Sequence, residues 1–254
     1  MKKIILGFIL GVIISGTIGV LASTIISSNN VTYQNKTVKE SLDELYSMAT
    51  KHRVYQNGDV VYYNPETNSK CASSEAISTT GTKTGCMKWY TFNDEGANSS
   101  TVNMILDHNT TAKISPWSTS KTQITKDTQS WNSSLNARLI TANEVAKITG
   151  NTNFDASKTG QKWFYFDSNN QTQTATIQGA SKYAWLFDYT KECSKYGCNI
   201  EDSSNYGYWT SSAVTGSSSD VWSVYSYGYL SSNSVNITFD GIRPVITISK
   251  SIVQ

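Results

Sequence analysis

The four cysteines carry the most reactive chemistry in this 254-residue chain. They are Cys71, Cys86, Cys193 and Cys198. An even number of cysteines in an exported chain indicates disulfides, and four cysteines permit three pairings. Proximity favours Cys71–Cys86 and Cys193–Cys198, and the first bridge would close a loop of about 15 residues and stabilise the fold by roughly 3 kcal/mol. The wide spacing of the first pair is poor for zinc ligands, so disulfides are preferred to a metal site.

The histidines and carboxylates do not form a recognisable catalytic pattern. Asp107 and His108 are adjacent in "LDHNTT", and neighbouring residues of a strand point to opposite faces, so these two side chains cannot form a simple dyad. The only other histidine is His52. We therefore predict no catalytic residue, no bound metal and no cofactor. His108 is interpreted as a turn or surface residue, and Asp107 and Asn109 as groups that end the strand through local backbone hydrogen bonds.

The C-terminal segment "VWSVYSYGYLSSNSVNITFDGIRPVITI" has the composition of a binding surface. Alternation predicts a hairpin over Val221–Asp240 with one apolar face, formed by Trp222, Val224, Val235, Ile237 and Phe239. The other face, which begins at Ser223, is rich in Tyr, Ser and Asn, and these residues combine broad contact with adaptable hydrogen bonding. The candidate ligand-binding residues are Tyr225, Tyr227, Tyr229, Asn233 and Asn236. An ordinary half-solvated sheet is the alternative.

The N-terminus predicts export. Lys2 and Lys3 precede an uncharged apolar run over residues 4–22, which is long enough to span a bilayer because about 20 apolar residues suffice. Val20 and Ala22 also suit cleavage by signal peptidase. A cleaved signal peptide and an uncleaved anchor both fit, with the anchor slightly favoured. We expect either a single-pass cell-membrane protein with an extracellular C-terminal domain or a secreted protein.

The part of the chain that is expected to be exported is formally neutral and long enough for one domain. Without residues 1–22 the chain has 19 basic and 19 acidic residues, since two of the 21 Lys and Arg residues are removed. No basic patch is present, so nucleic acid is not an expected partner. We predict a linker and short amphipathic helix over residues 23–53, and one domain with its own core over residues 54–254.

Two helices are predicted. In "TVKESLDELYSMA" a capping box of Thr37 and Glu40 precedes apolar residues spaced by four, three and four: Val38, Leu42, Leu45 and Ala49. Packing of this helix on its own domain is preferred, and a membrane-proximal oligomerising helix is the alternative. In "ARLITANEVAKITG" the capping box is Thr141 with Glu144, and Gly150 ends the helix.

The remaining pattern predicts short strands and one long loop. Residues 108–133 lack a sustained period and are predicted as a loop. Strand signals occur in "DVVYY", "CMKWYTF", "TVNMILDH", "KWFYF", "YAWLFDY", "YWTSS", "VWSVYSY", "VNITFD" and "IRPVITI". Pro244 has no N–H, so its strand is expected at a sheet edge or at a bulge. The predicted class is α+β with two main helices and short antiparallel strands.

Three segments in order resemble a known superfamily. "RLITANEVA" (Arg138–Ala146), "GYWTSSA" (Gly207–Ala213) and "GIRPVI" (Gly241–Ile246) are similar to the "RLPTEAEWE", "YWSST" and "GVRP" segments of formylglycine-generating-enzyme-like and C-type-lectin-like secreted bacterial domains. The resemblance covers Val54–Val253 and implies a C-type-lectin-like fold whose C-terminal region carries the binding face. It implies a structural frame of Arg138, Glu144, Trp209, Trp222, Gly241 and Arg243.

The sequence also departs from these families, and the departures disfavour calcium-dependent sugar binding and copper chemistry. Ile140 and Val145 replace the usual Pro and Trp of the helix motif. The "EPN", "QPD" and "WND" motifs of calcium-dependent lectins do not occur, and Trp131–Asn132 is followed by serine rather than by an acidic calcium ligand. The resemblance would make Cys193 and Cys198 a copper-binding pair, but they precede "YWTSS", whereas the enzymes have the pair after that segment. A loop-closing disulfide is preferred.

The leading hypothesis is therefore an exported, membrane-anchored recognition module without catalysis. A glycan, a peptide and a protein all suit its aromatic and polar face as ligand. The alternatives are an oxidase of the formylglycine-generating type that uses Cys193 and Cys198, and a structural surface or adhesin component. Tyr, Ser and Asn at the outward positions also resemble what adenine-directed diversification leaves in retroelement variable proteins, and ordinary strand preference yields similar residues.

Overall fold

The computed structural model describes most of the chain after residue 31. The described residues are 32–33, 36–151, 154–159, 164–165, 183, 185–186, 207–225, 229–238 and 240–254. The predictions for residues 4–22, for Cys193 and Cys198, and for Tyr227 and Phe239 lie outside them. The chain divides into two compact units, Met1–Lys51 and His52–Gln254. Among the described helices, none is long and apolar enough to cross a membrane.

The first unit contains a small hairpin and a capped helix. Strand β1 (Thr32–Tyr33) pairs with β2 (Lys36–Thr37), and helix α1 (Val38–Thr50) follows directly. The predicted capping box is confirmed, because the Thr37 N–H donates to Glu40 Oε2 at 2.6 Å and the Glu40 N–H donates to Thr37 Oγ1 at 3.1 Å. The bonds that the Thr37 N–H and the Thr37 hydroxyl donate to the Glu40 carboxylate hold the pKa of Glu40 below its ordinary value.

The second unit contains two five-stranded sheets. The first sheet has the order β12-β6-β5-β3-β4 and is antiparallel. Its strands are β3 (Val60–Asn64), β4 (Ser69–Lys70), β5 (Met87–Phe92), β6 (Thr101–Leu106) and β12 (Val245–Ser249). The last strand of the chain therefore closes one edge of a sheet built from the start of the unit.

The second sheet has the order β11-β8-β9-β10-β7 and is antiparallel except for the β11–β8 pair. Its strands are β7 (Phe164–Tyr165), β8 (Gly207–Ala213), β9 (Asp220–Tyr225), β10 (Tyr229–Ser234) and β11 (Asp240–Gly241). The chain passes from this sheet to the first at Arg243–Pro244, so Pro244 lies between strands, next to the edge strand β12, as its missing N–H requires.

Helices of the second unit pack against its two sheets. The predicted helix is confirmed as α3 (Ala142–Thr149), with Thr141 and Glu144 in a capping box and Gly150 in the left-handed region. The C-terminal α4 (Lys250–Val253) is one turn. The mixed α+β class is thus confirmed, whereas the count of two main helices was too low, because residues 120–127 form a further helix.

That additional helix, α2 (Ser120–Asp127), lies in the region predicted as a long loop. Its last residue, Asp127, has a buried carboxylate that accepts hydrogen bonds from three residues outside the helix and from Gln123 within it. Thr110 Oγ1, Thr111 Oγ1, Gln123 Nε2 and Lys83 Nζ donate to this carboxylate at 2.7–2.8 Å. Burial alone would raise the pKa of Asp127, but the hydrogen bonds from these donors outweigh burial. The pKa therefore lies below its ordinary value. A period in the sequence could not show this helix, because it is fixed by partners elsewhere in the chain.

The C-terminal hairpin is shorter than predicted. Ser234 pairs with Asp220, and the chain turns at Val235–Asn236, so "VNITFD" does not form the second strand. Val235 and Ile237 are nevertheless partly buried, against the cluster of Ile124, Leu139, Trp209, Val221 and Ile242. The strand predicted in "YAWLFDY" was also wrong in its described part, because Trp185 and Leu186 lie in a 3₁₀ turn.

The second sheet is buried on both faces. On one face, Trp222, Val224 and Leu230 pack in a core cluster that also contains residues of α3, β5 and β12. On the other face, Trp209 and Val221 pack against Ile124 of α2. A sheet covered on both sides leaves only its ends and its edge strand accessible, which limits where a ligand can bind.

Candidate binding surface of the C-terminal sheet

Three tyrosine positions lie side by side at one end of the second sheet. Tyr225 of β9 pairs in register with Tyr229 of β10, and Tyr229 pairs with Tyr165 of β7. On the other side, Tyr225 pairs with Gly207 of β8. Adjacent strands are about 4.8 Å apart, so the three positions span about 10 Å across the sheet. We call positions 165, 225 and 229 the tyrosine row.

The tyrosine row is on the opposite side of the sheet from the main core. The next register level contains Leu230, Val224 and Tyr208, which are all fully buried in the core cluster. Successive positions of a strand alternate between the two faces. Positions 225 and 229 therefore belong to the face that the alternation predicts for Tyr225. Tyr165 was not among the predicted residues, although the aromatic strand signal "KWFYF" contains it.

Gly207 completes this level of the sheet. A Cβ atom at position 207 would collide with the carbonyl oxygen of Val224, so the close approach of β8 and β9 requires glycine there. The Gly207 carbonyl accepts a hydrogen bond from Asn109 Nδ2 at 3.1 Å. The end of the sheet that carries the tyrosine row is thereby fixed to the loop after β6.

The predicted outward face is not solvated along its whole length. Ser223 was expected to face solvent, but it is fully buried and its Oγ accepts a hydrogen bond from Asn233 Nδ2. Trp209 is in register with Ser223 and is also fully buried, with its Nε1 donating to the Ile114 carbonyl at 3.1 Å. The segment around Ile114 covers this part of the sheet, which sequence alternation cannot reveal.

The five predicted ligand-binding residues do not form a single cluster. Tyr225 and Tyr229 are direct neighbours, but Asn233 pairs with Val221, four positions along the strand and about 13 Å away. Asn236 is exposed in the turn after β10, where its carbonyl accepts from Ser115 Oγ at 3.0 Å. The tyrosines and the asparagines therefore mark opposite ends of the hairpin.

Arg243 is a structural residue in this arrangement. It is fully buried, and its Nε donates to the Leu106 carbonyl at 2.5 Å. Its Nη2 donates to the carbonyls of Asp107 at 3.2 Å and Trp185 at 2.6 Å, and the guanidinium lies 5.1 Å from the centre of the Tyr208 ring. These contacts hold the crossing between the two sheets, so Arg243 is not available to a ligand from solvent.

Other residues of the expected frame also have structural contacts. Arg138 makes a two-pronged ion pair with Glu144, at 2.8 and 2.6 Å. Burial raises the pKa of Glu144, but the bonds from Arg138 and Thr141 outweigh it and lower the pKa. At Gly241 a Cβ atom would collide with the Asn109 side chain and nearby carbonyls.

The loop after β6 is more buried than predicted. His108 was interpreted as a turn or surface residue, but it is 1% exposed, and its Nε2 lies 3.0 Å from the Thr82 carbonyl. Both carboxylate oxygens of Asp107 are buried and accept no hydrogen bond from the residues that the structure describes, so the predicted local cap is not formed. This loop contacts both sheets, since the Asp107 N–H donates to the Lys88 carbonyl and Asn109 Nδ2 donates to the Gly207 carbonyl.

One of the two expected disulfides, Cys71–Cys86, is confirmed. Cys71 and Cys86 are bonded to each other and connect the end of β4 to the start of β5. Cys193 and Cys198 lie outside the described residues. Within the described part of the chain, no group of three or more His, Cys, Asp or Glu residues is placed to hold a metal ion.

The fold and the surface define an α+β domain with two curled, largely antiparallel sheets and a polar, tyrosine-containing hairpin near its C-terminus. The chain belongs to the family described as "Domain of unknown function (DUF6273)", whose model matches residues 23–250. No curated protein and no solved structure matches the chain.

Proposed function

We propose that this protein is an exported, membrane-anchored recognition module with a C-type-lectin-like fold, and that it binds an extracellular ligand without catalysis. The tyrosine row is the observation that carries this proposal. Three tyrosine positions lie in direct register at one end of the sheet, beside the connection between β9 and β10. Tyrosine combines broad apolar contact with a polar hydroxyl, which suits a binding surface. The order of the "RLITANEVA", "GYWTSSA" and "GIRPVI" segments supports the fold.

The position of the tyrosine row suggests that the residues that bind a ligand differ from the residues that form the main core. Trp222, Val224 and Leu230 form the core from one side of the hairpin. The tyrosine positions alternate with them, so the row lies on the other face of the sheet from this cluster. Loop-bearing ends of a rigid sheet are common locations for ligand binding. A glycan, a peptide or a protein with polar and apolar groups would suit this surface.

The binding proposal predicts an effect of tyrosine replacement on affinity but not on folding. Once a ligand is found with residues 23–254 on a glycan array or by pulldown of surface proteins, Tyr225→Ala, Tyr229→Ala and Tyr165→Ala should each weaken binding by about tenfold or more. Thermal melting should change little, because surface substitutions stay within about 0.5 kcal/mol. Calorimetric titration and melting curves provide the two measurements.

Tyr62→Ala is the matched control, because Tyr62 is a partly exposed tyrosine on the first sheet. It should leave the affinity unchanged. Asn233→Ala and Asn236→Ala report whether the opposite end of the hairpin contributes. Unchanged affinity in all three tyrosine variants would exclude the row as the binding surface.

The absence of catalysis has a direct chemical test at Cys193 and Cys198. A structural disulfide predicts no free thiol in the unreduced, unfolded protein and no copper retained after mild reduction. Thiol titration and metal analysis of residues 23–254 measure both quantities. Two free thiols together with stoichiometric copper would favour the oxidase alternative over the recognition module.

A further inference from the structure

A hydroxyl, a carboxamide and a carboxylate meet where helix α2 lies beside the loop after β6. Gln123 Nε2 donates to Thr111 Oγ1 at 3.2 Å. The Thr111 hydroxyl donates to Asp127 Oδ2 at 2.7 Å, and Gln123 Nε2 also donates to Asp127 Oδ1 at 2.8 Å. Each of the three side chains therefore contacts the other two. This is the arrangement of a nucleophile, an acyl group and a general base.

The hydroxyl and the carboxamide are both held by well-packed parts of the domain. The backbone of Thr111 pairs with that of Ile242, whose N–H donates to the Thr111 carbonyl at 2.8 Å. Gln123 precedes Ile124, which is 5% exposed and fixes α2 in a core cluster. Well-oriented neighbours react as if each were present at about 10⁵ M or more, so even a weak nucleophile and a stable amide can react slowly at such a site.

Asp127 is placed to accept the proton of the hydroxyl. Its side chain is 0% exposed, and Lys83 Nζ lies 2.7 Å from Oδ1. Burial alone would raise the pKa of Asp127, but the hydrogen bonds from Lys83 and the two threonines outweigh burial and hold the pKa below its ordinary value. The carboxylate is therefore ionised at neutral pH. A low pKa weakens a base and slows the reaction, but the reaction needs to occur only once in each chain.

We propose that Thr111 and Gln123 become joined by an ester bond in the folded chain. Thr111 Oγ1 forms a bond to Cδ of Gln123, the bond between Cδ and Nε2 breaks, and the nitrogen leaves as ammonia. Asp127 takes the hydroxyl proton and returns it to the departing nitrogen, which already contacts its Oδ1. Atoms and charges balance without a further reactant, because the carboxylate ends as it began.

The ester ties α2 covalently to the loop after β6 and joins residues 12 positions apart in sequence. Such a bond restricts the unfolded chain, as a disulfide does, and so stabilises the folded domain. It forms within the second unit and needs no ligand. The cross-link is therefore independent of the proposed recognition function.

Mass spectrometry of the full chain tests the cross-link. Loss of one ammonia should place the reduced natural chain about 17 Da below the mass of its sequence. Trypsin should then release residues 89–113, which contain Thr111, joined to residues 122–126, which contain Gln123. Mild alkaline hydroxylamine should separate the two peptides, because it cleaves an ester and leaves ordinary peptide bonds intact.

Variants of similar side-chain size assign the roles. Thr111→Val removes the nucleophile and Asp127→Asn removes the base, so each should have the full mass of its own sequence. Thr125→Val is the matched control, because Thr125 is an exposed residue of the same helix whose Oγ1 donates to the Lys121 carbonyl at 3.0 Å. It should lose ammonia as the natural chain does.

The full mass and separate peptides in the natural chain would overturn the proposal, and the three side chains would then form only a hydrogen-bond network. A gain of about 1 Da at Gln123, from hydrolysis of its amide, would also overturn it. An undiminished cross-link in Asp127→Asn would overturn the role of Asp127. The mass of the natural chain decides the question even where a variant does not fold, and ligand titration reports separately on the tyrosine row.

Discussion

Trp222→Ala should lower the free energy of unfolding by about 3–5 kcal/mol, which is a large part of the roughly 5–15 kcal/mol that stabilises an ordinary domain. Trp222 is 1% exposed, and its ring lies 4.9 Å from that of Phe154 in an edge-to-face arrangement. It shares a cluster with Val224 and Leu230 of the same hairpin, so its loss opens a cavity where the second sheet meets α3. Urea unfolding followed by tryptophan fluorescence and far-UV circular dichroism measures the effect.

Trp222→Phe is the matched conservative change. The buried Nε1 of Trp222 has no hydrogen-bond partner among the described residues, so phenylalanine removes volume without breaking a hydrogen bond. It should cost clearly less than alanine. Exposed Thr238→Ala serves as the neutral reference and should stay within about 0.5 kcal/mol. A loss from Trp222→Ala as small as that from Thr238→Ala would contradict the assignment of this hairpin face to the core.

The parts of this fold that sequence reasoning predicts well are those fixed by local chemistry. The capping boxes at Thr37 and Thr141 depend on a glutamate three residues later, and both are present with the expected hydrogen bonds. The apolar side of β9 follows from alternation at Trp222 and Val224, which are buried. The position of Pro244 follows from its missing N–H. Each of these depends on neighbours in sequence.

The failed predictions share a dependence on distant segments. Ser223 reads as an outward residue, but a segment about 110 residues earlier covers it, and only tertiary structure determines such coverage. Helix α2 is fixed by the convergence of Thr110, Thr111 and Lys83 on Asp127. The tyrosine row requires the pairing of β7 with β10, and strand order is not encoded by the period of either strand.

Lys250→Met should destabilise the domain by about 3–5 kcal/mol, because it leaves a buried carboxylate without its cation. The side chains of Lys250 and Asp94 are 0% and 1% exposed, and Lys250 Nζ donates to Asp94 Oδ1 at 2.6 Å and to the Gly96 carbonyl at 2.8 Å. Asp94 also accepts from the Tyr55 N–H at 2.7 Å. The pair thus ties the C-terminal α4 to the segment after β5. Chemical unfolding measures the loss.

Two variants separate the ion pair from general effects of the substitution. Lys158→Met removes an exposed cation, with its Nζ 3.8 Å from Asp155 Oδ2, and should cost less than about 1 kcal/mol. The double variant Asp94→Asn with Lys250→Met should recover part of the loss, because replacing both partners leaves no unpaired buried charge. A double variant no more stable than Lys250→Met would contradict the ion-pair explanation.

The same pair predicts a direction for acid unfolding. Burial raises the pKa of Asp94, but the bonds from Lys250, Tyr55 and Gly96 outweigh burial and hold the pKa below its ordinary value of about 3.9. A lowered folded-state pKa gives stability that is present above the unfolded value and is lost as the pH falls through the folded value. In Lys250→Met the pKa of Asp94 should rise, since burial then acts against fewer donors. The variant should therefore unfold at a higher pH than the natural chain in an acid titration followed by circular dichroism, whereas Lys158→Met should unfold at the same pH.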